Sequence, residues 1–502
     1  MLRFFNSIEM IRKILPLFVL FAFSAIVYPQ QSDNNNTDYK SGLYDKKGKL
    51  ILPCQYEDAE LLPNKLFRVK MNGKWGLIDS KNNPLLPCQY EIVRYYTHNL
   101  IVVGNDDRNR VIDINTKKEI IPPVYEYIGS VSHGFSVVCK NKKWGTINIT
   151  GQEILPCEYG YIETFRNGYS LAMDTANYKW GIINYEGKVI VPFKYTEIRD
   201  MEDLNISIVK MGSLAGMVRP SDGKEIVPCE FNELYPPEND LIRAIKHGKW
   251  GAYHITGQEI IPFKYNYIDN FKEDYARSMI NQKWGVLSKN GSEVLPFNYS
   301  YISGVSDGMA IARKDKSSNW GAIDIKTKNE TVPFEYLKIE PFKKGYTVAR
   351  DGGFWGAINR DGKKISQFIY SQMNAFSKDG LALALKDSVC GAINHKGKEV
   401  VPFIYQTIHP YSNKAAVAKI NDKYVVINTK GKIISKEYDR METPTSSDIR
   451  KIDFVNNIVV AFKDGKKGIV NNKGKEIVPC IYDDIKINEN GTYSVKQALL
   501  SQ

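Results

Sequence analysis

Residues 309–336 read MAIARKDKSSNWGAIDIKTKNETVPFEY, and this stretch decides the fold class. Met309-Ala-Ile-Ala-Arg313 and Trp320-Gly-Ala-Ile-Asp-Ile325 are short apolar-rich runs bounded by polar residues, the pattern of β-strands. A third short strand ends at Pro333, which has no amide proton for a ladder and so marks a strand end or edge. The loop before that strand usually has the form Asn/Asp-x-x-Gly-Lys, as at Asn428-Thr-Lys-Gly431-Lys432. Its glycine supplies the positive φ of a tight hairpin. After the closing tyrosine comes a segment such as Glu57-Asp-Ala-Glu60 or Glu163-Thr-Phe165, read as a bend or a single helical turn.

The same sentence is written many times over. An aromatic residue recurs at Tyr56, Tyr90, Tyr125, Tyr159, Tyr195, Phe231, Tyr265, Tyr299, Tyr336, Tyr370, Tyr405, Tyr438 and Tyr482, mostly 34 to 37 residues apart. Three residues before it stands a proline in all but two units, as at Pro53, Pro87 and Pro479. Fifteen or sixteen residues before it stands Trp-Gly: Trp75-Gly76, Trp144-Gly145, Trp180-Gly181, Trp250-Gly251, Trp284-Gly285, Trp320-Gly321 and Trp355-Gly356. All 7 tryptophans of the chain occupy that one position. Gly42, Gly216, Gly391 and Gly468 keep the glycine alone, while Arg110-Val111, Tyr424-Val425 and Lys467-Gly468 replace the pair. A fixed period of this length identifies a repeat architecture, in which one unit buries its apolar face only against its neighbours.

The recurring Trp-Gly-φ-Ile-Asp/Asn…Gly-Lys…Pro-x-x-Tyr pattern resembles the bacterial WG repeat, also called the KWG repeat. Lys-Trp-Gly stands verbatim at 74–76, 143–145, 179–181, 249–251 and 283–285. The resemblance implies an all-β repeat array and implies no particular chemistry. The expectation is thirteen three-stranded hairpin units over 41–490, with an insertion at about 441–454 and a tail at 491–502. At about 35 residues a unit is short for a four-stranded propeller blade of about 40–45. An open β-solenoid or superhelix is therefore expected, with closure into one or two β-propellers as the alternative.

Length and composition set the outer bounds. The chain has 502 residues, 43% hydrophobic and 25% charged, which is globular rather than disordered composition. Arg12 and Lys13 precede an uncharged run from Ile14 to Tyr28, too short for a bilayer span of about 20 residues. That arrangement reads as a secretory signal peptide over 1–30, followed by a disordered lead-in over 31–40. The product is then exported to the periplasm, the outer surface or the medium, with no stable transmembrane span left after cleavage. A formal charge of +12 is mild for this length and permits an anionic partner without demanding one. Export argues against nucleic acid.

The polar side chains repeat with the units, which bears on chemistry. Cys54, Cys88, Cys157, Cys229 and Cys480 follow the repeat proline, where other units carry Phe193, Phe263, Phe297, Phe334 or Phe403. A slot that alternates Cys with Phe is apolar and buried, so these are expected as core thiols. Asp79, Asn148, Asn184, Asp324, Asn359, Asn394 and Asn471 share a register and read as turn formers rather than a cation ladder. His98 and His133 share a register too and read as surface turns, in no zinc-type spacing. The tryptophan reads as a packing knob beside a glycine that admits a neighbouring backbone, and the lysine before it as protection of a strand edge.

A catalytic group is needed once, whereas these groups recur in every unit. The reading is a non-enzymatic scaffold, with no cofactor and no metal, that binds a protein or glycan partner through an extended surface. A carbohydrate-active hydrolase would need unique carboxylates, for which Glu442, Asp448 and Asp453 in the insertion are the candidates. A purely structural envelope component is the remaining alternative.

Overall fold

The computed structural model describes residues 39–498, apart from 106–107, 202–203, 239, 316–318 and 446–451. The expected signal segment 1–30 lies outside the described residues. The described chain is all-β, with 50 strands in thirteen small antiparallel sheets and one short 3₁₀ turn at Pro63–Lys65.

The blade at 58–90 shows how one repeat makes one sheet. Its strands Asp58–Leu62, Leu66–Met71, Lys74–Ile78 and Pro84–Tyr90 pair in sequence order. The middle hairpin turns through Asn72 and Gly73, with φ of 49° and 74°, the two positive values a type I′ turn requires. In the fourth strand the register jumps from Leu77↔Leu86 to Trp75↔Tyr90. Pro87 sits in that bulge, where a missing donor costs no ladder bond.

Two units lack the proline, and their fourth strands are reduced to isolated bridges, Trp355↔Tyr370 and Tyr424↔Tyr438 among them. There a serine hydroxyl, Ser366 or Ser435, accepts the N–H of Ala357 or Val426 at 2.8 Å. A side chain has taken a donor that a ladder carbonyl would otherwise hold.

The segment expected as a bend or helical turn is the first strand of the next blade. Only Glu57 separates Leu50–Tyr56 from Asp58–Leu62. Elsewhere that first strand shrinks to two residues, as at Tyr127–Ile128 and Tyr267–Ile268. Four strands fit into about 35 residues because the chain spends almost nothing on the passage between blades. The three-stranded expectation is corrected to four for this reason.

The array is also closed, contrary to the open solenoid expected. Thirteen hydrophobic clusters lie between consecutive sheets, one for each sheet. An open stack of thirteen would have one fewer. The extra cluster joins Tyr44, Tyr493 and Val495 to Ile458, Ile469, Val478 and Tyr482 of the preceding blade. The closing blade is shared by both ends of the chain. Tyr493–Ala498, expected as part of a tail, pairs along its whole length with Tyr39–Tyr44, from Tyr39↔Ala498 to Tyr44↔Tyr493. Tyr39 and Lys40, expected in a disordered lead-in, belong to that strand. Asn490 adds a hydrogen bond to the carbonyl of Leu61 in the first complete blade, at 3.3 Å. The molecule is a thirteen-bladed β-propeller.

Each interface is built alike. Leu43, Leu52 and Tyr56 of one blade meet Ala59, Phe67, Val69 and Ile78 of the next. The repeat tyrosine is a core residue: Tyr336, Tyr405 and Tyr438 are all 1% exposed. The Trp-Gly glycine has a steric cause. A Cβ on Gly285 would stand 2.8 Å from the carbonyl oxygen of Leu295 and 2.9 Å from the Phe297 ring. A Cβ on Gly468 would meet the Cys480 Sγ at 2.6 Å. The Cys/Phe slot thus lies across the bare Cα of this glycine, half-buried rather than fully buried as expected. All seven cysteines are unpaired, and burial raises the Cys480 thiol to about 11.

Candidate functional site: an aromatic and arginine belt

In the blade at 267–299, Tyr267 pairs with Met279, Met279 with Trp284, and Trp284 with Tyr299. Opposed residues in a sheet share a face, so these side chains form one row. Tyr299 is the buried end of the row, while Trp284 and Tyr267 stay half-exposed at the rim. Rows of adjacent blades meet there. The Trp250 and Tyr267 centroids are 5.1 Å apart, Tyr267 and Trp284 5.9 Å, Trp284 and Tyr301 5.4 Å, and Tyr301 and Trp320 5.8 Å. These contacts are edge-to-face, and Tyr235 extends the run by stacking flat on Trp250 at 5.1 Å. Six rings from three successive blades form one chain of contacts. A shorter run joins Tyr127, Trp144, Tyr161 and Trp180 at 4.9–6.0 Å.

Arginines interleave with the rings. Arg243 lies over Tyr235 and Trp250, Arg277 over Trp284 and Tyr301, and Arg313 over Trp320. Cation–π contact favours each arrangement by about 0.5–1 kcal/mol at exposed sites and more where water is excluded. Arg243 and Arg277 also tie blades together, donating to the carbonyls of Ile268 and Ile302 in the next blade at 3.1 and 3.0 Å. Arg277 is further paired with Asp269 at 2.6 Å and donates to the Tyr301 hydroxyl at 2.9 Å. Burial pushes the Asp269 carboxyl upward, but Arg277 and the Asn270 amide outweigh it and hold the group below its ordinary value.

The structure places the sequence-derived residues as follows. Trp75, Trp144, Trp180, Trp250, Trp284, Trp320 and Trp355 are all half-buried, on the margins of the inter-blade clusters. Each packs against its cluster as the expected knob does, while keeping part of its ring exposed at the rim. In the third unit Asn109 pairs with Tyr125, as Trp75 pairs with Tyr90, so Asn109-Arg110 replaces Trp-Gly there and not Arg110-Val111. The Asp/Asn series makes turns: Asp79 accepts from the amides of Lys81 and Asn83, and Asn394 from Lys396 and Lys398. His98 and His133 occupy exposed turns at φ 47° and 50°. The acidic residue after the repeat tyrosine is structural too, since Glu57 accepts from the amides of Asn72 and Gly73 across the next hairpin. Lys74 and Lys423 before the Trp position pair with Glu91 and Asp439 at 3.0 and 2.7 Å.

In the insertion the Asp453 amide donates to the Thr443 hydroxyl at 2.8 Å, beside Glu442. Glu442 is ion-paired with Arg440, and it is the one carboxylate lining a shallow groove of about 220 Å³ beside Thr443, Phe462 and Lys467. Asp448 lies outside the described residues. Ile452 and Phe454 serve the core, and the buried His409 accepts the Ile452 amide on Nδ1 at 3.0 Å.

The tyrosines of the belt escaped the sequence reading, although a signal existed. Tyr-x-Tyr occurs at 125–127, 159–161, 265–267 and 299–301. The first member of each is the repeat tyrosine, and the second faces the tryptophan. Arg68, Arg243 and Arg277 share a register, each opposite the residue two after its tryptophan, and so left a signal as well; Arg313, opposite Tyr301, stands outside it.

A closed propeller carrying a partly aromatic rim belt is the class these observations define. The WG containing repeat matches twelve segments: 42–75, 75–108, 111–144, 144–174, 180–214, 220–250, 250–284, 284–316, 320–353, 355–390, 391–424 and 468–498. The chain belongs to the WG repeat family. The stretch left unmatched between 424 and 468 contains the insertion. No curated protein matches the sequence. Among solved structures, a eukaryotic initiation factor is 9% identical at a TM-score of 0.30, over 62% of this chain and 95% of that one. The extracellular domain of the putative one component system BT4673 from B. thetaiotaomicron is 8% identical at 0.22, over 92% and 82%. The tricorn protease is 12% identical at 0.25, over 86% and 60%. Likeness at this level carries no functional information. Among the described residues no helix is long and apolar enough to cross a membrane.

Proposed function

We propose that this protein is an exported, non-enzymatic scaffold that binds a glycan or protein through the aromatic belt. The observation that carries the reading is the continuous run from Tyr235 to Trp320, with its rings half-exposed. Half-exposed Tyr and Trp offer flat apolar faces with polar edges, suited to sugar rings and to aromatic or proline-rich side chains. The basic flank and apolar run of 12–28 support export. Repetition of the polar groups, with the Asp/Asn series engaged in turns, supports binding over catalysis.

The test is a screen of the mature chain against envelope glycans, soluble polysaccharides and a surface-protein extract at low and moderate salt. The expected result is a saturable, salt-tolerant partner whose affinity falls at least tenfold in the Tyr267→Ala/Tyr301→Ala double variant. Partners indifferent to that variant would remove the belt from the function. Hydrolysis of a polymer in the screen would favour the carbohydrate-active alternative. Absence of any partner would favour a structural role in the envelope.

A further inference from the structure

We infer that Arg313, Trp320 and Tyr301 form a binding station for an acidic sugar residue, a pyranose carrying a carboxylate. This rests on the glycan form of the reading above and deepens it.

Tyr301 and Arg313 are directly opposed across their strands, and the Arg313 guanidinium lies 4.3 Å from the Trp320 ring centroid. Three arginines sit in this arc, and two are committed. Arg277 is held by Asp269, the Tyr301 hydroxyl and the Ile302 carbonyl. Arg243 is 8% exposed and is held by the Ile268 carbonyl and Asn270. The Arg313 side chain has no hydrogen bond or ion pair among the described residues, and its Nε is shielded from water without a partner. A half-buried guanidinium lacking acceptors costs free energy that a ligand acceptor would recover.

The guanidinium selects the ligand chemistry. Arg313 stands over the Trp320 ring, and its planar fork of donors matches a carboxylate in bidentate fashion. Beside it Tyr301 is 38% exposed, its hydroxyl pinned by Arg277, so the ring is a fixed platform. A platform next to an anion fork fits a flat, weakly polar ring bearing one carboxylate. The ring chain running on through Trp284 and Tyr267 continues the same apolar edge for further sugars of a polymer.

The experiment is calorimetry of the full mature chain with an oligogalacturonate and with its fully methyl-esterified counterpart, at about 0.15 M salt, where long-range attraction is screened. The ester keeps the rings and removes the charges. The expected result is about tenfold or greater preference for the acid, abolished by Arg313→Gln, reduced by Arg313→Lys and retained by Lys328→Gln. The last variant loses the same charge from an exposed turn of the same blade. Equal affinity for acid and ester, preference surviving Arg313→Gln, or equal loss in Lys328→Gln would each overturn the station. Binding of neither oligomer would overturn it as well. If other partners still bind in a Tyr267- and Tyr301-dependent way, the belt reading stands without it; if none do, both fall.

Discussion

The blade at 267–299 and the blade that begins at Arg440 have the same backbone and opposite rims. In the first, the row begins with Tyr267 and Trp284; in the second, Arg440 and Lys467 hold those positions. The fourth-strand register is nonetheless identical, Trp284↔Tyr299 in one and Lys467↔Tyr482 in the other. Both keep the following glycine, against Phe297 or Cys480. Where Phe or Cys fills the facing slot the blade needs the glycine, whose Cβ would strike a carbonyl and that side chain, and it does not need the tryptophan. An aromatic retained where the backbone is indifferent to it is available for surface work. That difference locates the candidate site in the arc 235–320.

Ring closure sets the largest expected effect. Val495, opposite Gly42 in the shared blade, and Ser278, opposite Gly285 in the aromatic arc, occupy equivalent second-strand positions. Proline there removes a ladder donor and should cost about 3 kcal/mol or more in either blade. Denaturant melts of Val495→Pro and Ser278→Pro should therefore show similar losses. Mild local fraying for Val495→Pro alone would mean an open array and would end the comparison of blades as equals.

Gly285→Ala and Gly468→Ala come next. Each places a methyl group in a space already filled, and overpacking of this kind costs about 1–3 kcal/mol. Comparable shifts in midpoint would sharpen the claim that the glycine is common to both arcs.

Trp284→Lys copies the closing arc into the aromatic one. Its expected cost is about 1–2 kcal/mol from lost half-burial and ring contact, with the cooperative transition intact and belt-dependent binding lost. Global unfolding of this variant would show the rings to be structural and would break the comparison.

The smallest effect separates the arcs by pH. Burial holds the His409 imidazole below its ordinary value, with Asp453 opposing in part. Below about pH 6.5 the unfolded chain takes up a proton that the folded chain does not. Stability is therefore full above that value and declines as the pH falls toward the folded pKa. His409→Asn keeps an acceptor for the Ile452 amide without titrating, so its melting temperature should fall less between pH 7 and 5. Equal acid sensitivity in the two proteins would assign the acid loss to other groups.

Much of this molecule is legible in its residues. The Tyr and Pro period marks thirteen units, and the strands and turns follow from local chemistry. Asn-x-x-Gly-Lys loops, the proline in its bulge and glycine at positive φ act through neighbours a few residues away. The first strand of each blade was not legible, because two residues such as Tyr267-Ile268 have no periodicity to read and are held by the strand beside them. The belt was half legible, through Tyr-x-Tyr. Its arginines acquire meaning only across blades, as when Arg277 reaches Ile302 and Arg313 is left with Trp320 alone.

The sequence by itself therefore determined the repeat, its β character, the family and the turn chemistry, since each rests on contacts within about 35 residues of chain. Tertiary structure alone decided that the array closes and that the rings of separate units join into one surface. Those outcomes depend on how thirteen small inter-blade rotations add up, and on the pairing of Tyr39–Tyr44 with Tyr493–Ala498 from the far end of the chain.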